Sequence, residues 1–341
     1  MDWTFPLAWA AAIVAAVTLV SFAGTGMMLR ILKSRAILDH PNERSSHSQP
    51  TPKGGGIAVV LVVAAAWVGL GWESPAAGTV FIIAATAVGL GALSWVDDLK
   101  GLNPLLRLLG QAAAIVIVFT MAPGAGPYFG GLLPGFLDLM AAGLLWLWFI
   151  NLFNFMDGID GIAGVETASL GLGVALVAAT AGLSPVFLTF GLVLLGAALG
   201  FLWWNWHPAR IFLGDVGSVP LGFLLGWLLL SLAAKGQWAA ALILPLYYLA
   251  DTSLTLTKRC LKGEKIWQAH REHFYQLAVK RGLSHAQVVG HVLWINVLLV
   301  VLAVMAAGGL TGVAVAGALV AVAWLLFILG GGRRAGDAGM P

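Results

Sequence analysis

Charged residues are scarce in this sequence of 341 amino acids. Asp, Glu, Lys and Arg together make up 10% of the chain, whereas hydrophobic residues make up 60%. A soluble domain carries about 25% charged and about 45–50% apolar residues, and it could not cover its surface with so few charges. This scarcity excludes a soluble enzyme and a disordered chain, and it indicates a protein that lies in a lipid bilayer.

Cysteine is almost absent as well. The single residue Cys260 cannot form an intramolecular disulfide, which excludes a disulfide-stabilised scaffold. The formal net charge is only +3, so the positions of the basic residues carry more information than their sum.

Long hydrophobic runs, by contrast, are abundant. A membrane-spanning helix needs about 20 mostly apolar residues. Eleven stretches come close to that length: 6–29, 55–72, 77–96, 104–121, 135–153, 163–182, 185–204, 217–234, 238–257, 287–307 and 310–330. The sequence therefore predicts an all-α, polytopic integral membrane protein with about eleven transmembrane helices, built as a single domain over residues 1–341.

Lysine and arginine predict the orientation, because they concentrate in cytoplasmic segments. With the amino terminus outside, the carboxyl terminus is cytoplasmic. The inner connections are then 30–54, 97–103, 154–162, 205–216 and 258–286, with a tail from residue 331. Every basic residue except Lys235 lies at or near that face, with Arg107 one turn inside the fourth helix. This bias explains the basic charge without a nucleic-acid partner.

Two adjacent carboxylates, Asp97 and Asp98, end the third predicted helix. Neighbouring carboxylates repel each other, so one has a raised pKa or lies near a cation. Such a pair can hold a divalent metal or act as a base; a solvated helix end is the structural alternative. Arg107 follows closely and either grips phosphate oxygens or extends to the membrane boundary.

Residues 151–161 read NLFNFMDGIDG and combine two amides, two carboxylates and two glycines at a membrane edge. Asn and Asp supply the oxygen ligands that Mg²⁺ prefers, and glycine allows the backbone to turn tightly beside them. The calcium-loop pattern does not match, because its spacing and final Glu are missing. So much polarity beside apolar helices favours a functional turn over a purely structural one.

Residues 205–218 read NWHPARIFLGDVGS and place Asp215 before the eighth predicted helix. An Asp at that position is a common helix cap. The other acidic clusters on the same face favour a metal ligand instead.

The segment 258–286 is the most polar of the chain and contains His270-Arg271-Glu272-His273. These side chains suit the oxygens of a diphosphate; an ordinary cytoplasmic loop is the alternative. No second His or Cys cluster of ligand spacing accompanies them, so the sequence does not predict a zinc site.

Two further features stay open between function and structure. The first inner loop ends in Lys53 and the glycines 54–56, whose N–H groups either cradle phosphate or belong to a flexible linker. Asp251 lies within the ninth predicted helix, where an acid is functional by default, or pairs with Arg259 or a neighbouring loop.

The polar clusters share one membrane face, which bears on the class of protein. A secondary transporter or lipid flippase places its ionisable residues near the bilayer midplane, within inverted repeats. Acids gathered at one face instead favour an enzyme that joins a water-soluble substrate to a lipid head group. The transporter is the alternative from a different class.

In the order PNERSSH, PTPKGGG, WVDDL, NLFNFMDGIDG, NWHPARIFLGDVGS and AHREHFYQ, the chain resembles the polyprenyl-phosphate N-acetylhexosamine-1-phosphate transferases. The resemblance runs over about residues 39–277. Peptidoglycan-initiating members carry three consecutive histidines where this chain has His270-Arg271-Glu272-His273. The chain is therefore more similar to the branch that initiates O-antigen or other surface polysaccharides, with a phospho-MurNAc-pentapeptide transferase as the alternative.

This resemblance implies a reaction and its partners. A sugar-1-phosphate passes from a UDP-N-acetylhexosamine donor to polyprenyl (undecaprenyl) phosphate, giving a polyprenyl-diphosphate-linked sugar and UMP. The reaction requires Mg²⁺, or Mn²⁺ in its place. The expected setting is the bacterial inner membrane, with the site facing the cytoplasm. A homodimer is one candidate assembly, and the sequence leaves the oligomeric state open.

Site residues follow from the matched motifs. The expected catalytic residues are Asp97, Asp98, Arg107, His270, Arg271 and His273. The expected substrate-binding residues are Asn151, Asp157, Asp160, Asn205 and Lys53. The expected metal ligands are Asp215 and Asn154.

Overall fold

Helices make up most of the chain. A computed structural model describes residues 7–41, 49–122, 126–265 and 270–331, and within these ranges it contains thirteen α-helices and two short β-strands. The helices are Leu7–Ser34 (α1), Gly56–Gly71 (α2), Ala77–Lys100 (α3), Pro104–Met121 (α4), Gly135–Met156 (α5), Ile162–Thr180 (α6), Pro185–Asn205 (α7), Asp215–Ala234 (α8), Trp238–Ile243 (α9), Leu246–Leu261 (α10), Phe274–Lys280 (α11), His285–Ala307 (α12) and Thr311–Gly330 (α13). Parts of the predicted segments 30–54 and 258–286, including most of the PNERSSH motif, and the tail from 332 lie outside the described residues.

Nine of the described helices are long and apolar enough to cross a membrane. They are α1, α3 to α8, α12 and α13. Helix α2 is a shorter apolar helix of 16 residues. The prediction of an all-α, polytopic membrane protein is confirmed.

The ninth predicted span, 238–257, is wrong as a single helix. The structure divides it into α9 and α10, with Leu244 and Pro245 between them. Proline has no N–H to donate, and its ring clashes with the carbonyl of the preceding turn, so the helix breaks there. After the break, α10 continues as an amphipathic helix to Leu261, which carries Asp251 and Arg259 toward the polar end of the bundle.

Helices α6 and α8 lie at the centre of the bundle and are mostly buried. Close approach between helices depends on small residues, as is common in membranes. In the α6–α7 pair, a Cβ atom on Gly171 would lie 2.6 Å from the carbonyl oxygen of Gly191. This dense packing gives the loops at the bundle end a rigid base.

At one end of the bundle, the two strands form a small antiparallel hairpin, Leu38–Asp39 (β1) with Thr51–Pro52 (β2). The glycines that follow β2 dock on the loop before α8. The N–H groups of Gly54 and Gly55 donate to the carbonyl oxygen of Phe212, at 3.1 and 2.8 Å, and Gly56 N–H donates to that of Leu213 at 2.9 Å. These donors are therefore used within the protein, contrary to the interpretation of this segment as a phosphate cradle.

We expect Gly56→Ala to destabilise the protein and to disturb the start of α8. A Cβ atom on Gly56 would lie 2.2 Å from the Cα atom of Gly217, and overpacking of this kind costs about 1–3 kcal/mol. Gly69→Ala is the matched control on the same helix, since nothing lies within 4 Å of its Cβ position. Thermal unfolding in detergent should show a lowered midpoint for Gly56→Ala alone; equal midpoints for both variants would contradict the close contact.

Candidate active site

Asp98 joins the carboxyl-terminal turn of α3 to the first turn of α8. Its carboxylate accepts the N–H of Asp215 at 3.3 Å and that of Val216 at 3.0 Å. The first N–H groups of a helix have no partner within the helix, and the helix end favours a negative charge. The buried Asp98 side chain therefore supplies the hydrogen-bond acceptor and the negative charge that stabilise the start of α8.

The turn that makes this contact requires glycine. Gly214 precedes α8 with a φ of 77°, and a Cβ atom there would lie 2.9 Å from Oδ2 of Asp98. A side chain at this position would be strained by the backbone and would strike the carboxylate. Asp215 is the first residue of α8, so it does not cap the helix, and its carboxylate is directed to other groups.

Two basic side chains hold the three carboxylates of this end together. Lys53 Nζ lies 2.7 Å from Asp98 Oδ1 and 3.9 Å from Asp215 Oδ1. Arg107 Nη1 lies 2.9 Å from Asp97 Oδ2 and 3.4 Å from Asp215 Oδ2. Asp215 is thus flanked by both cations, at longer distances than the other two acids.

The charge of Lys53 is stabilised by its position. Burial alone would lower its pKa, but the carboxylates of Asp215 and Asp98 outweigh that effect and raise the pKa of Lys53 above its ordinary value. The ammonium group therefore stays charged throughout the physiological pH range.

The end of α5 adds an amide and a fourth carboxylate. Asn154 donates its Nδ2 to Ser218 Oγ in α8 at 2.8 Å, which leaves the amide oxygen available. Asp157 follows the last residue of α5. Burial, and then the negative charge of Asp215, raise the pKa of Asp157 to about 7.

The local charge balance fits a divalent cation. Asp97, Asp98, Asp157 and Asp215 bring four carboxylates to this end, whereas Lys53 and Arg107 bring two cations. When all are ionised, two negative charges are left uncompensated. The donors available are carboxylate and amide oxygens, which are the ligands of Mg²⁺ and not of softer metals.

Asp160 belongs to a separate cluster with two histidines. Its Oδ2 lies 2.6 Å from His207 Nδ1 and 3.3 Å from His285 Nδ1, and it accepts the N–H of Ala209 at 3.1 Å. Burial would raise the pKa of Asp160, but the interactions with His285, His207 and Ala209 outweigh it and lower the pKa below the usual range. The carboxylate is therefore held as an anion.

Asp251 in α10 organises the polar segment before α12. Its buried carboxylate accepts the N–H of Phe274 at 3.1 Å and that of Tyr275 at 3.4 Å, which are the first two residues of α11. It also lies 3.0 Å from Nδ1 of His273. Of the alternatives left open by the sequence, the neighbouring loop is the partner of Asp251.

Arg259 pairs with acids of the same segment and not with Asp251. Its Nη1 lies 3.0 Å from Glu264 Oε2 and 2.8 Å from Glu272 Oε1. These ion pairs hold Glu264 and Glu272 against the end of α10.

The comparisons with known proteins agree with this arrangement. A family model described as glycosyl transferase family 4 matches residues 80–233. A decaprenyl-phosphate N-acetylglucosaminephosphotransferase of Mycolicibacterium smegmatis is 31% identical over 324 residues, which cover 82% of this chain and 78% of the relative. The chain belongs to glycosyl transferase family 4, the polyprenyl-phosphate hexosamine-1-phosphate transferases.

Other members of the family differ in their named substrates. A probable undecaprenyl-phosphate N-acetylglucosaminyl 1-phosphate transferase of Bacillus subtilis is 28% identical over 271 residues, covering 76% of this chain and 75% of the relative. A phospho-N-acetylmuramoyl-pentapeptide-transferase of Enterococcus hirae is 32% identical over 250 residues, covering 66% and 75%. The chain is thus a membrane-bound transferase.

Within this transferase, some of the residues predicted from the sequence meet and others serve the scaffold. Asn205 is buried, with its Oδ1 accepting the N–H of Gly161 at 2.9 Å and its Nδ2 donating to Ile211 at 2.9 Å. Asn151 donates to Gln111 Oε1 in α4 at 2.7 Å. Both amides are predicted to bind substrate. In the structure, Asn205 links two backbone segments, and Asn151 links α5 to α4.

The surroundings of His270 lower its pKa. The sequence places His270 among the side chains that suit the oxygens of a diphosphate. Burial, and then the positive charges of His273 and Arg259, lower the pKa of His270 to about 4. The imidazole is therefore neutral near pH 7, and it stacks on His273 at 4.9 Å between ring centroids.

Several contacts of the transferase are not predicted from the sequence. His207 and Ser218 lie within the motif NWHPARIFLGDVGS but carry no assignment there, and His285 is a single histidine outside the quoted motifs. The sequence does contain a capping box, S-x-x-Q, around His285, which predicts that a helix starts there. In the structure, Ser284 Oγ accepts the N–H of Gln287 at 3.2 Å.

The raised pKa of Asp157 predicts a pH-dependent stability. Because its pKa rises from 3.8 to about 7 on folding, this group favours the folded state below about pH 4 and progressively less as the pH rises to 7. Asp157→Asn removes the dependence, so its unfolding midpoint relative to wild type should increase from pH 5 to pH 8.

Thermal unfolding in detergent with excess EDTA measures this difference. Glu73→Gln, an exposed acid in the loop between α2 and α3, reports the effect of removing an acid outside the site. A constant difference between Asp157→Asn and wild type across this pH range contradicts the assignment.

Proposed function

We propose that the protein transfers a sugar-1-phosphate of the N-acetylhexosamine type from a UDP-sugar to polyprenyl (undecaprenyl) phosphate. The products are a polyprenyl-diphosphate-linked sugar and UMP. The observation that carries this proposal is the convergence of Asp97, Asp98 and Asp215 with Lys53 and Arg107 at one end of the bundle. Family membership supplies the reaction class.

The chemistry requires that two anions approach each other. An oxygen of the acceptor phosphate attacks the β-phosphorus of the UDP-sugar, and the bond between that phosphorus and the bridging oxygen breaks, so UMP leaves with the electron pair. Lys53 and Arg107 offset the repulsion between the two phosphate-bearing substrates. Their present partners, the carboxylates, are sufficiently close and numerous to keep both cations in place before substrates bind.

Asp157 is the group best suited to accept the last proton of the acceptor phosphate. The carboxylates of Asp97 and Asp98 are each occupied in an ion pair, with Arg107 and Lys53 respectively. The pKa of Asp157, about 7, lies close to the second pKa of a phosphate monoester, about 6. Because these two pKa values are close, the proton can pass easily in either direction.

Magnesium, or manganese in its place, fits the donors at this end. Asp215 and Asn154 are the residues that would hold the ion, because Asp215 makes the loosest ion pairs and Asn154 has an available amide oxygen. When bound, the ion supplies positive charge to the diphosphate oxygens.

The distribution of basic residues and the family membership support a location for the protein and its active site. Basic residues concentrate at the end of the bundle that carries the site, which supports a cytoplasmic active site in a bacterial inner membrane. The His270-Arg271-Glu272-His273 sequence supports the first membrane step of O-antigen or other envelope polysaccharides over that of peptidoglycan.

A donor panel tests the proposed reaction. Purified protein in lipid nanodiscs receives undecaprenyl phosphate, Mg²⁺ and one of several UDP-sugars: UDP-GlcNAc, UDP-GalNAc, 6-deoxy N-acetylhexosamine donors or UDP-MurNAc-pentapeptide. We expect UMP release and a lipid-linked sugar-1-phosphate, identified by mass spectrometry, with an N-acetylhexosamine donor. Product from the muramyl donor alone would replace the proposal with the peptidoglycan reaction.

Asp98→Asn and Asp215→Asn should each lower kcat by at least about 100-fold while the protein still inserts and folds. The first variant weakens the ion pair with Lys53, and the second removes a proposed metal ligand. Glu73→Gln is the matched control at the other end of the bundle and should keep the wild-type rate. Wild-type kcat in either site variant, or full activity of the native enzyme in excess EDTA, would remove that residue or the metal from the proposed mechanism.

A further inference from the structure

Three ligand-bearing side chains outside the ion-paired carboxylates form a compact group. One ligand atom from each of Asp160, His207 and His285 lies within 4.8 Å of the other two. Both imidazoles turn their Nδ1 toward the same carboxylate oxygen, at 2.6 and 3.3 Å, and their rings lie 5.0 Å apart. A carboxylate and two imidazoles on one centre make a common set of metal ligands.

Each ligand is held by its own element. His285 is the first residue of α12, and the capping box of Ser284 and Gln287 fixes that helix start. Asp160 precedes Gly161, whose N–H donates to Asn205 Oδ1 at 2.9 Å. Only 8% of the Asp160 side chain and 7% of that of His285 are exposed, so this pair is preorganised.

The distances suit a small transition-metal ion. A tetrahedral zinc centre with bonds of about 2.0–2.1 Å separates its ligand atoms by roughly 3.3 Å. Asp160 and His285 already lie 3.3 Å apart. His207 is closer, because it makes a direct hydrogen bond, and must move outward by roughly 0.7 Å. Its side chain is 38% exposed and lies in the loop after α7.

We propose that Asp160, His207 and His285 form a binding site for a divalent transition-metal ion of the Zn²⁺ class. Two nitrogen ligands select zinc, cobalt or nickel over magnesium, so this site differs in chemistry from the oxygen ligands around Asp215. The exposed edge of His207 leaves the remaining coordination position to solvent.

The site would brace the loop that leads to Asp215. The metal joins the amino-terminal ends of α6 and α12 to the segment after α7, and that segment runs directly to the start of α8. A ligand that binds the folded state alone raises the free energy of unfolding with the logarithm of its concentration above Kd. The expected consequence is a metal-dependent increase in thermal stability that does not depend on substrate.

Metal binding is measured directly on the full-length transferase, purified in detergent through a tag without histidine and stripped with EDTA. The probe is Co²⁺, followed by its visible absorption, and then Zn²⁺, counted by elemental analysis after gel filtration. We expect one equivalent of Zn²⁺ per chain that 5 mM Mg²⁺ does not displace, together with a raised unfolding midpoint.

Variants assign the ligands. His207→Ala and the milder His207→Gln should each lower Co²⁺ affinity by at least about tenfold, and His285→Ala should do the same. His291→Ala is the matched control, because His291 is an exposed histidine of the same helix α12 and should bind as wild type does. Since His207 is exposed, its variants should fold, which gel filtration checks.

Two results would overturn the proposal. One is the absence of stoichiometric Zn²⁺ or Co²⁺ binding by the wild-type protein, which would leave the cluster as a hydrogen-bonded brace. The other is unchanged affinity in both His207 variants, which would place the bound metal elsewhere. Because Asp160 is also an expected substrate-binding residue, the metal site is judged by metal binding and not by activity. The transferase proposal rests on the carboxylates around Asp215 and is tested separately by the donor panel.

Discussion

The contact between Asp98 and the start of α8 is the constraint on which the site depends. A buried carboxylate is costly unless hydrogen bonds and an opposite charge compensate it, and here two backbone N–H groups and Lys53 do so. The partners come from three separate parts of the chain: α3, α8 and the segment after β2. Satisfying one charge therefore fixes the geometry of three elements at once, and Asp215 takes its position from the same turn.

The same site carries more carboxylates than basic side chains. Lys53 and Arg107 are sufficient to hold Asp97, Asp98 and Asp215 together, but they do not neutralise the set once Asp157 ionises. Like charges confined in a partly buried place destabilise each other, so burial and the charge of Asp215 favour a proton on Asp157. In the proposed reaction, a divalent cation held by Asp215 would relieve that repulsion, which would couple its binding to the ionisation of Asp157.

Hydrophobic run length predicted most of the fold, because a bilayer imposes a fixed length on each helix. The pattern failed where one residue changed the local geometry: Pro245 divides the ninth predicted span, although the surrounding residues stay apolar. Motif order brought together Asp97, Asp98 and Asp215 correctly. It could not show that the N–H groups of the glycines 54–56 are already bonded to the distant residues Phe212 and Leu213, or that burial leaves His270 neutral.

The acidic side chains differ in the number of hydrogen bonds that they accept, and this difference indicates the role that each can have. Asp251 and Asp160 accept several donors, including a histidine Nδ1 in each case, so their carboxylates hold other groups in position. The Asp98 carboxylate accepts the first N–H groups of α8. Among the described residues, no hydrogen-bond donor reaches the Asp157 carboxylate, and its pKa lies near neutrality. A carboxylate that has no hydrogen-bond donor and a pKa near neutrality can exchange its proton without losing such contacts, whereas protonating Asp98 or Asp160 would weaken the contacts that hold the site together.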